Sequence, residues 1–545
     1  MTGHRVRLAL VLALLVATAL SGCLSAPDRP TSQSLPTTAT AAPCTELAAR
    51  IVEAVQAYVD SFGDVRAGDV TGAVSARQAE FSTTTTGLAA RGRTLGCDAN
   101  ALASDIRRGL SRLTGGTPVQ AAIADTFRAD PLGSIDPSDA GPSRIRVRTA
   151  QELVTAVARA GSGSTILLAA GTYALRSPLV TLRPITLSGA GDGTDPRRMT
   201  TTTITSTAAG AALMAATGGN LALTDLAIEH QGPAVASVVI VAAGGYRFER
   251  VRLSGGVAKD GAGGFGLILR PSSRPLTPTG DARSLTDLRL DRNAGGGIVV
   301  AGSEQPAISR VAVTGASSCG VCWVEGSGGT ATDVSVEGGD IGLRVETTAS
   351  VQVTRARTTG ATVGLLLNGS GATWLEDSVL SGGTIGIQST GAGTLNVAGS
   401  RVAGAREIAV RLSGTTRATL DRVTLSGATR IGIATVGQAA STLTGSAVSS
   451  TGEVGLVWGE NALGTMVDVV VRGAGLGLQL GGSATVVGSH LVVDRSAAAA
   501  VLAGGTTTGV ISGLTCGRGG GAAVVFAQST TLRLQDSPGC RTVRQ

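Results

Sequence analysis

The residues of this 545-residue chain that are best suited to binding or catalysis are Glu229, His230, Arg252, Asp291 and Arg292. Glu229 and His230 end one predicted strand, and Asp291 and Arg292 take the equivalent places two strands later. An imidazole beside a carboxylate can exchange a proton near neutral pH, and a guanidinium can hold an acidic ligand through paired hydrogen bonds. We therefore predict a candidate binding or catalytic edge here, on the outside of the protein. The alternative is a solvated polar edge without a ligand.

Two insertions interrupt the regular spacing of the chain close to these residues, at positions 257–264 and 270–281. Long loops on a rigid scaffold are where binding sites form most often. The insertions therefore favour this part of the chain as the candidate site.

Metal and cofactor chemistry has little support in the sequence. The only histidines are His4, His230 and His490, and we expect His490 to be a core residue. Asp192 and Asp195 in a Gly-Asp-Gly-Thr-Asp segment are an alternative Ca²⁺ site, but a plain turn explains them as well. We predict no metal site and no cofactor.

Seven charged residues recur at equivalent positions and alternate strictly in sign. Opposite charges on neighbouring turns of a repeat would neutralise one another along one corner, whereas a calcium site would need clustered carboxylates. We therefore predict a structural ladder made by Asp225, Arg250, Asp287, Arg310, Asp333, Arg355 and Asp377.

The N-terminus has the pattern of an export signal. Arg5 and Arg7 precede a 13-residue apolar run, Leu8 to Leu20, which is too short to span a bilayer. It ends in Leu-Ser-Gly-Cys at Cys23, which resembles a bacterial lipobox; the resemblance implies a lipid on Cys23 and an anchor on the extracytoplasmic side of the cell membrane. An ordinary secretory signal is the alternative. Residues 1–23 are thus predicted as a lipoprotein signal peptide and 24–43 as a flexible linker.

Six cysteines remain, an even number that suits an oxidising compartment. Locality and repeat spacing favour three pairs out of about 15 connectivities: Cys44–Cys97, Cys319–Cys322 and Cys516–Cys540. The Cys-Gly-Val-Cys segment at 319–322 could also be a redox motif. A structural bridge is favoured because redox pairs of that spacing lie at a helix N-terminus, and none is expected there.

Composition points to many short strands. There are 79 glycines, aromatic residues make up 2% and charged residues 15%, and the mean hydropathy is +0.27. A core this poor in aromatics must be packed from aliphatic side chains, with many tight turns. The net charge is +7 without a basic run that includes aromatic residues, so nucleic acid is not a predicted partner.

The elements that must position these residues follow from periodicity. Residues 44–128 have helical spacing and are predicted as a small α-helical domain, with a linker at 129–143. Next come a strand, a helix that begins with a Thr149–Glu152 capping box, and two more strands. From Gly297 to Gly477 a Gly-aliphatic pair recurs every 22 or 23 residues, with one double step of 46 residues between Gly386 and Gly432. This order resembles the right-handed parallel β-helix proteins of the pectin-lyase-like superfamily, and we predict an all-β solenoid of about 14 coils over residues 144–545, closed by a cap helix.

The resemblance implies activity on acidic polysaccharides, yet the chain lacks the family's Asn-Thr-Asp, Asp-Asp, Gly-His-Gly and Arg-Ile-Lys motifs, and it has no stack of aspartates for calcium. We therefore predict a lipid-anchored surface scaffold that binds a polysaccharide or protein partner without catalysis. The alternative is a polysaccharide lyase, glycoside hydrolase or epimerase. A third class, metal loading as in the copper-related β-helix proteins, is disfavoured because His and Met are scarce.

Overall fold

Every coil of the chain combines strands from two parallel sheets, which we call sheet A and sheet B. The computed structural model describes residues 41–60, 72–113, 116–117, 120–121, 124, 127–128, 141–181, 183–191, 202–215, 220–242, 244–270, 283–517, 523–527, 529–537 and 539–544. Within these ranges sheet A has 25 strands and sheet B has 16. One sheet B strand per coil makes sixteen described coils, against about 14 predicted from the sequence.

Sheet A contains, numbered in chain order, β1 Arg144–Val147, β2 Ser164–Leu168, β3 Gly171–Leu175, β5 Ile185–Ser188, β6 Thr202–Ser206, β8 Leu221–His230, β10 Tyr246–Ser254, β14 Arg283–Asp291, β16 Ala307–Thr314, β18 Gly329–Glu337, β20 Val351–Thr354, β21 Arg357–Thr359, β23 Ala372–Glu376, β24 Val379–Ser381, β26 Thr394–Ala398, β27 Arg401–Ala403, β29 Arg417–Asp421, β30 Thr424–Ser426, β32 Ala440–Thr444, β33 Ala447–Ser449, β35 Leu463–Arg472, β37 Thr485–Asp494, β39 Thr508–Ser512, β40 Thr515–Cys516 and β42 Thr531–Gln535.

Sheet B contains β4 Leu179–Thr181, β7 Gly210–Ala215, β9 Ala236–Val241, β13 Phe265–Leu269, β15 Gly296–Val300, β17 Cys319–Glu325, β19 Ile341–Thr347, β22 Val363–Leu367, β25 Ile385–Ser389, β28 Ile408–Leu412, β31 Ile431–Thr435, β34 Val454–Trp458, β36 Leu476–Leu480, β38 Ala499–Ala503, β41 Ala523–Phe526 and β43 Arg541–Arg544. The first insertion forms a small antiparallel hairpin, β11 Ala258–Lys259 and β12 Ala262–Gly263. The second insertion lies outside the described residues.

The core is a stack of aliphatic columns that run along the coils. Leu223, Phe248 and Leu285 pair in register on consecutive strands, and so do Ile228, Leu253 and Leu290. All six are fully buried. A single coil cannot bury its apolar side without neighbours, so stacking supplies the core. Both columns therefore face inward.

From β8 onward, the sheet A part of each described coil bends at one residue with a positive φ angle. This corner is occupied by all seven predicted ladder residues, with φ between 49° and 56°, and further along by Arg422, Asp468 and His490. The left-handed conformation costs a non-glycine residue roughly 1–2 kcal/mol. The bend is thus imposed by the fold, because the side chains before and after it must both point into the core.

The open end of the first coils is covered by a helix, α4 Ala150–Arg159. Thr149 caps it by accepting a hydrogen bond from the Glu152 N–H at 3.1 Å. The Glu152 carboxylate accepts from the Arg148 N–H at 2.6 Å rather than from Thr149. Leu153 and Val157 are buried on the face turned toward the rod. The predicted cap helix is confirmed.

Three more helices precede the coils: α1 Ala41–Asp60, α2 Gly72–Leu95 and α3 Ala99–Leu110. Their apolar side chains share one buried cluster with the outward side chains Met214, Ile240 and Ile268 of sheet B. Ala42–Gln545 form one compact unit. The helices therefore cover the outer face of the first sheet B strands instead of standing apart as a separate bundle. Among the described residues, no helix is long and apolar enough to cross a membrane.

Three disulfides join the cysteine pairs that the sequence predicted. Cys44–Cys97 ties α1 to the start of α3, and Cys516–Cys540 joins neighbouring coils with a Cα–Cα distance of 5.2 Å. Cys319–Cys322 lies within β17 and spans three residues. Stabilisation by a disulfide increases with the length of the loop it closes, so this last bridge constrains the unfolded chain least.

Candidate functional site

Four of the five predicted site residues meet where the sheet A strands end. Glu229, Ser254 and Asp291 are register partners on β8, β10 and β14. Parallel strands about 4.8 Å apart therefore place Glu229 and Asp291 two coils from each other. We call the group Glu229, Arg252, Asp291 and Arg292 the charged edge.

Two ion pairs hold the charged edge together. The Arg252 guanidinium donates to both Asp291 carboxylate oxygens, at 3.0 and 2.6 Å. Arg292 donates to Glu229 Oε1 at 2.8 Å and lies 3.9 Å from Asp291 Oδ2. The hydrogen bond to Asp291 raises the pKa of Arg252, which stays protonated. Both carboxylates thus act as acceptors for arginine.

Arg292 occupies a turn that most other coils make with glycine. Its φ is 56°, and the next coil has Gly315 at the same place with φ 68°. Left-handed backbone disfavours an arginine, and strained positions of this kind cluster at functional sites. The Arg292 side chain is 62% exposed, so the turn presents a guanidinium to solvent beside Glu229.

His230 does not join the charged edge, so the prediction that it lies on the exterior beside Glu229 is wrong. The residue is only 3% exposed. Its Nε2 lies 3.0 Å from the Ala208 carbonyl oxygen, and its Nδ1 is buried without a hydrogen-bond partner in the described structure. Strand alternation explains the difference, because Glu229 and His230 are consecutive and must point to opposite sides.

The predicted charge ladder exists as separate bidentate pairs. Arg310 donates to Asp287 at 2.6 and 2.8 Å, and Arg355 to Asp333 at 2.7 and 2.9 Å. Arg250 holds Asp225 in the same way. Each arginine reaches back to the aspartate of the preceding coil, which supports the structural interpretation of these residues.

His490 was expected in the core, and that expectation is wrong. Its side chain is 76% exposed, and its Nδ1 lies 3.2 Å from Asp468 Oδ1. The residue occupies the positive-φ corner, the column of Asp225 and Arg250, rather than an inward column. The predicted Ca²⁺ alternative at Asp192 and Asp195 lies outside the described residues, as does Cys23.

The sequence analysis missed a buried polar cluster inside the rod. Glu304 is 1% exposed; it accepts from the Tyr246 hydroxyl at 2.9 Å and pairs with Arg283 at 2.7 Å. Burial raises the pKa of Glu304 and that of Tyr246. Arg283 could have revealed this cluster in the sequence, because it is the register partner of the inward Tyr246 and interrupts an otherwise apolar column.

A groove on the outer face of sheet B was also missed. It has a volume of about 170 Å³, and its lining includes the Cys319–Cys322 bridge, Val299 and Arg344. It begins at Phe265 and Ile268, where the cover provided by the helices ends. The bridge lies on strand β17 and not at a helix N-terminus, the position that lowers the pKa of a redox-active cysteine.

Comparison with known proteins gives one family match. Residues 279–468 match the family described as periplasmic copper-binding protein (NosD). No curated protein matches the chain. The matched segment contains the coils from β14 to the middle of β35, and its description is consistent with an extracytoplasmic location.

Several solved structures align with this chain at low similarity. An alginate lyase from Paenibacillus sp. str. FPU-7 aligns at 13% identity and TM-score 0.31, covering 47% of this chain and 94% of its own. The catalytic domain of a GH87 α-1,3-glucanase aligns at 10% identity and TM-score 0.28, covering 74% and 67%. The A-module of a mannuronan C-5 epimerase from Azotobacter vinelandii aligns at 12% and 0.19, covering 73% and 100%. These scores carry no argument about activity.

The copper in the family description can be tested against the donor atoms of this chain. Among the described residues, no three His, Cys, Asp or Glu side chains are grouped to hold a metal. The six described cysteines are joined in disulfides, and Met214 and Met466 are buried in apolar clusters. The soft ligands that copper prefers are thus already engaged, and the described residues do not fit a copper site.

The architecture rests on observations that agree with one another. Parallel strands recur in register from coil to coil, a helix caps the first coils, and the central coils match a β-helix family. Together these features show that the chain is a right-handed parallel β-helix protein whose central coils are similar to the periplasmic copper-binding protein (NosD) family.

Proposed function

We propose that this protein is an extracytoplasmic scaffold that binds a polysaccharide or protein partner at the charged edge without turning it over. The observation that carries the proposal is the pairing of both edge carboxylates with arginine, while the nearby imidazole of His230 faces the interior. A general acid or base must exchange a proton with its substrate. Groups already bonded to guanidinium are suited to holding a ligand rather than to proton transfer.

The location is part of the proposal. The description of the matched family as periplasmic supports export, and the lipobox-like segment supports a lipid on Cys23 as the membrane anchor. Retention of the Cys23→Ala protein in the membrane fraction would contradict the anchor.

The test compares two arginines in the same kind of turn. Arg292 and Arg495 both have positive φ, 56° and 55°, and each lies near the aspartate that precedes it in sequence. Replacement by glycine suits the backbone at both places, so both variants should fold. Only Arg292 belongs to the charged edge.

We expect Arg292→Gly to weaken partner binding about tenfold, or roughly 1.4 kcal/mol, and Arg495→Gly to leave it unchanged. Binding is measured on a glycan array and by calorimetry, with parallel assays for new reducing ends and unsaturated uronates. Product release by the wild-type protein would replace the scaffold with the enzyme alternative. Equal binding by wild type and both variants would exclude the charged edge as the site.

A further inference from the structure

One tryptophan is set apart from the other two by its position. Trp323 and Trp458 are fully buried in sheet B strands, whereas Trp374 lies on the outer side of β23 and is partly exposed. Its neighbours in sequence, Thr373 and Leu375, are buried on the opposite side of the strand. The indole therefore stands on the exterior of sheet A, away from the face that the helices cover.

Side-chain amides flank this indole on the neighbouring coils. Gln352 on β20 and Asn396 on β26 are its register partners. At about 4.8 Å per coil, an amide stands one coil above and one coil below the ring. Beyond them, the same outward column continues with Thr419 and Thr442, so the nearest neighbours of Trp374 in this column are polar.

This combination has a definite binding chemistry. The apolar C–H face of a pyranose ring stacks on an indole face, and an amide supplies both a donor and an acceptor for neighbouring sugar hydroxyls. Glu376 lies two residues along on the same side of β23 and is exposed. A carboxylate there disfavours an acidic sugar and favours an uncharged one.

We propose that Trp374, Gln352 and Asn396 form a binding platform for an uncharged pyranose unit of a polysaccharide. The proposal rests on the proposed function and makes the partner a glycan. The platform and Asp291 are on the same sheet; β16, β18 and β20 separate β14 from β23. That spacing of four coils is about 19 Å along the stack. Asp291 is in register with Ser381, beyond the corner at Asp377, so the platform and the charged edge lie on different stretches of the coil.

Tryptophan fluorescence provides a direct test because the other two indoles are buried. Neutral glucans and mannans are titrated into the full-length protein, with uronate polymers in parallel, and both emission and acrylamide quenching are recorded. We expect a neutral glycan to shift the emission and to protect Trp374 from quenching. Trp374→Ala should weaken binding tenfold or more, whereas Trp374→Phe should retain part of it.

The matched control is Val487, an apolar residue 54% exposed in the same outward column, five coils further on. Val487→Ala should bind like the wild type, and Gln352→Ala and Asn396→Ala should each weaken binding several-fold. Glycan binding that is unaffected by Trp374→Ala would overturn the platform and leave the proposed function standing. If calorimetry detects no binding of any tested glycan by the wild type, both the platform and the glycan as partner are overturned.

Discussion

At the scale of single residues, the surroundings of a carboxylate rather than its residue type decide how it is paired and in which direction its pKa is shifted. Glu229 and Asp291 differ little as chemical groups, yet Asp291 is buried and held at two oxygens while Glu229 accepts from an exposed arginine. The same principle separates Glu304 from Glu249. Burial raises the pKa of Glu304, whereas the hydrogen bond from Arg250 lowers the pKa of Glu249.

These two shifts predict opposite pH dependences. A raised folded-state pKa means that protonated Glu304 contributes stability that is fully present below pH 4.5, its ordinary value, and lost as pH rises through the folded pKa. A lowered pKa means that ionised Glu249 contributes stability present above pH 4.5 and lost as pH falls through its folded pKa.

The measurement is the thermal unfolding midpoint of the wild type, Glu304→Gln and Glu249→Gln between about pH 3 and 8. This range extends to both sides of the ordinary carboxyl pKa. Relative to Glu304→Gln, the wild type should gain stability as pH falls from 7 toward 4.5. Relative to Glu249→Gln, it should lose stability below 4.5. A constant offset, such as that from leaving Arg283 without its partner, does not change either slope. Parallel curves for wild type and Glu304→Gln would contradict the raised pKa.

At the scale of the coil, the Gly-aliphatic repeat has a steric cause. A Cβ at Gly386, Gly455 or Gly477 would strike the inward valine sixteen residues later, at Val402, Val471 or Val493. Ala409 and Ala500 occupy the same column. The residues sixteen positions after them are Leu425 and Cys516, which have no β-branch. Glycine is therefore required where the facing side chain is branched at Cβ.

We expect Gly455→Ala to destabilise the protein by about 1–3 kcal/mol, because the added methyl meets Val471 and lies 2.7 Å from the Gly477 carbonyl oxygen. Gly481→Ala is the control, since nothing lies within 4 Å of its Cβ position. Denaturant unfolding checks both. The double variant with Val471→Leu should recover part of the loss, as the Ala409 coil suggests; a loss that is unchanged by Val471→Leu would contradict the pairing.

At the scale of the whole molecule, the helices and the coils share one interface. The outward column of sheet B contains Ile240 and Ile268, which belong to the buried cluster that the helices share with sheet B. The same column continues to Val457 and Leu502, which lie outside that cluster. The face that the helices occupy is thus determined by apolar residues on the first strands.

Ile240→Asn should weaken the contact between the helices and sheet B, because it places an amide in an apolar cluster where Ile240 is now buried. Hydrogen exchange should become faster in α1 and α3 while the coils beyond β19 keep their protection. Val457→Asn, in the same column but outside the cluster, is the matched control. Unchanged exchange in α1 would show that this contact does not hold the helices.

The sequence by itself determined the architecture of the rod, because a coil can bury its aliphatic side chains only against the same positions of its neighbours. That requirement imposes a period of 22 or 23 residues, and the period reveals the repeated Gly-aliphatic pair and the charge alternation at the corner. The cap helix followed from a capping box, and the cysteine pairs followed from locality and the repeat spacing.

Only the tertiary structure decided which side chains meet and which face solvent. The side of the strand on which His230 lies depends on register, and the position of His490 at a positive-φ corner depends on where each coil bends; neither can be obtained from residue type. The Glu304–Arg283 pair and the contact of α1 with sheet B join segments far apart in sequence. Such contacts depend on how coils and helices stack in space, which no local pattern encodes.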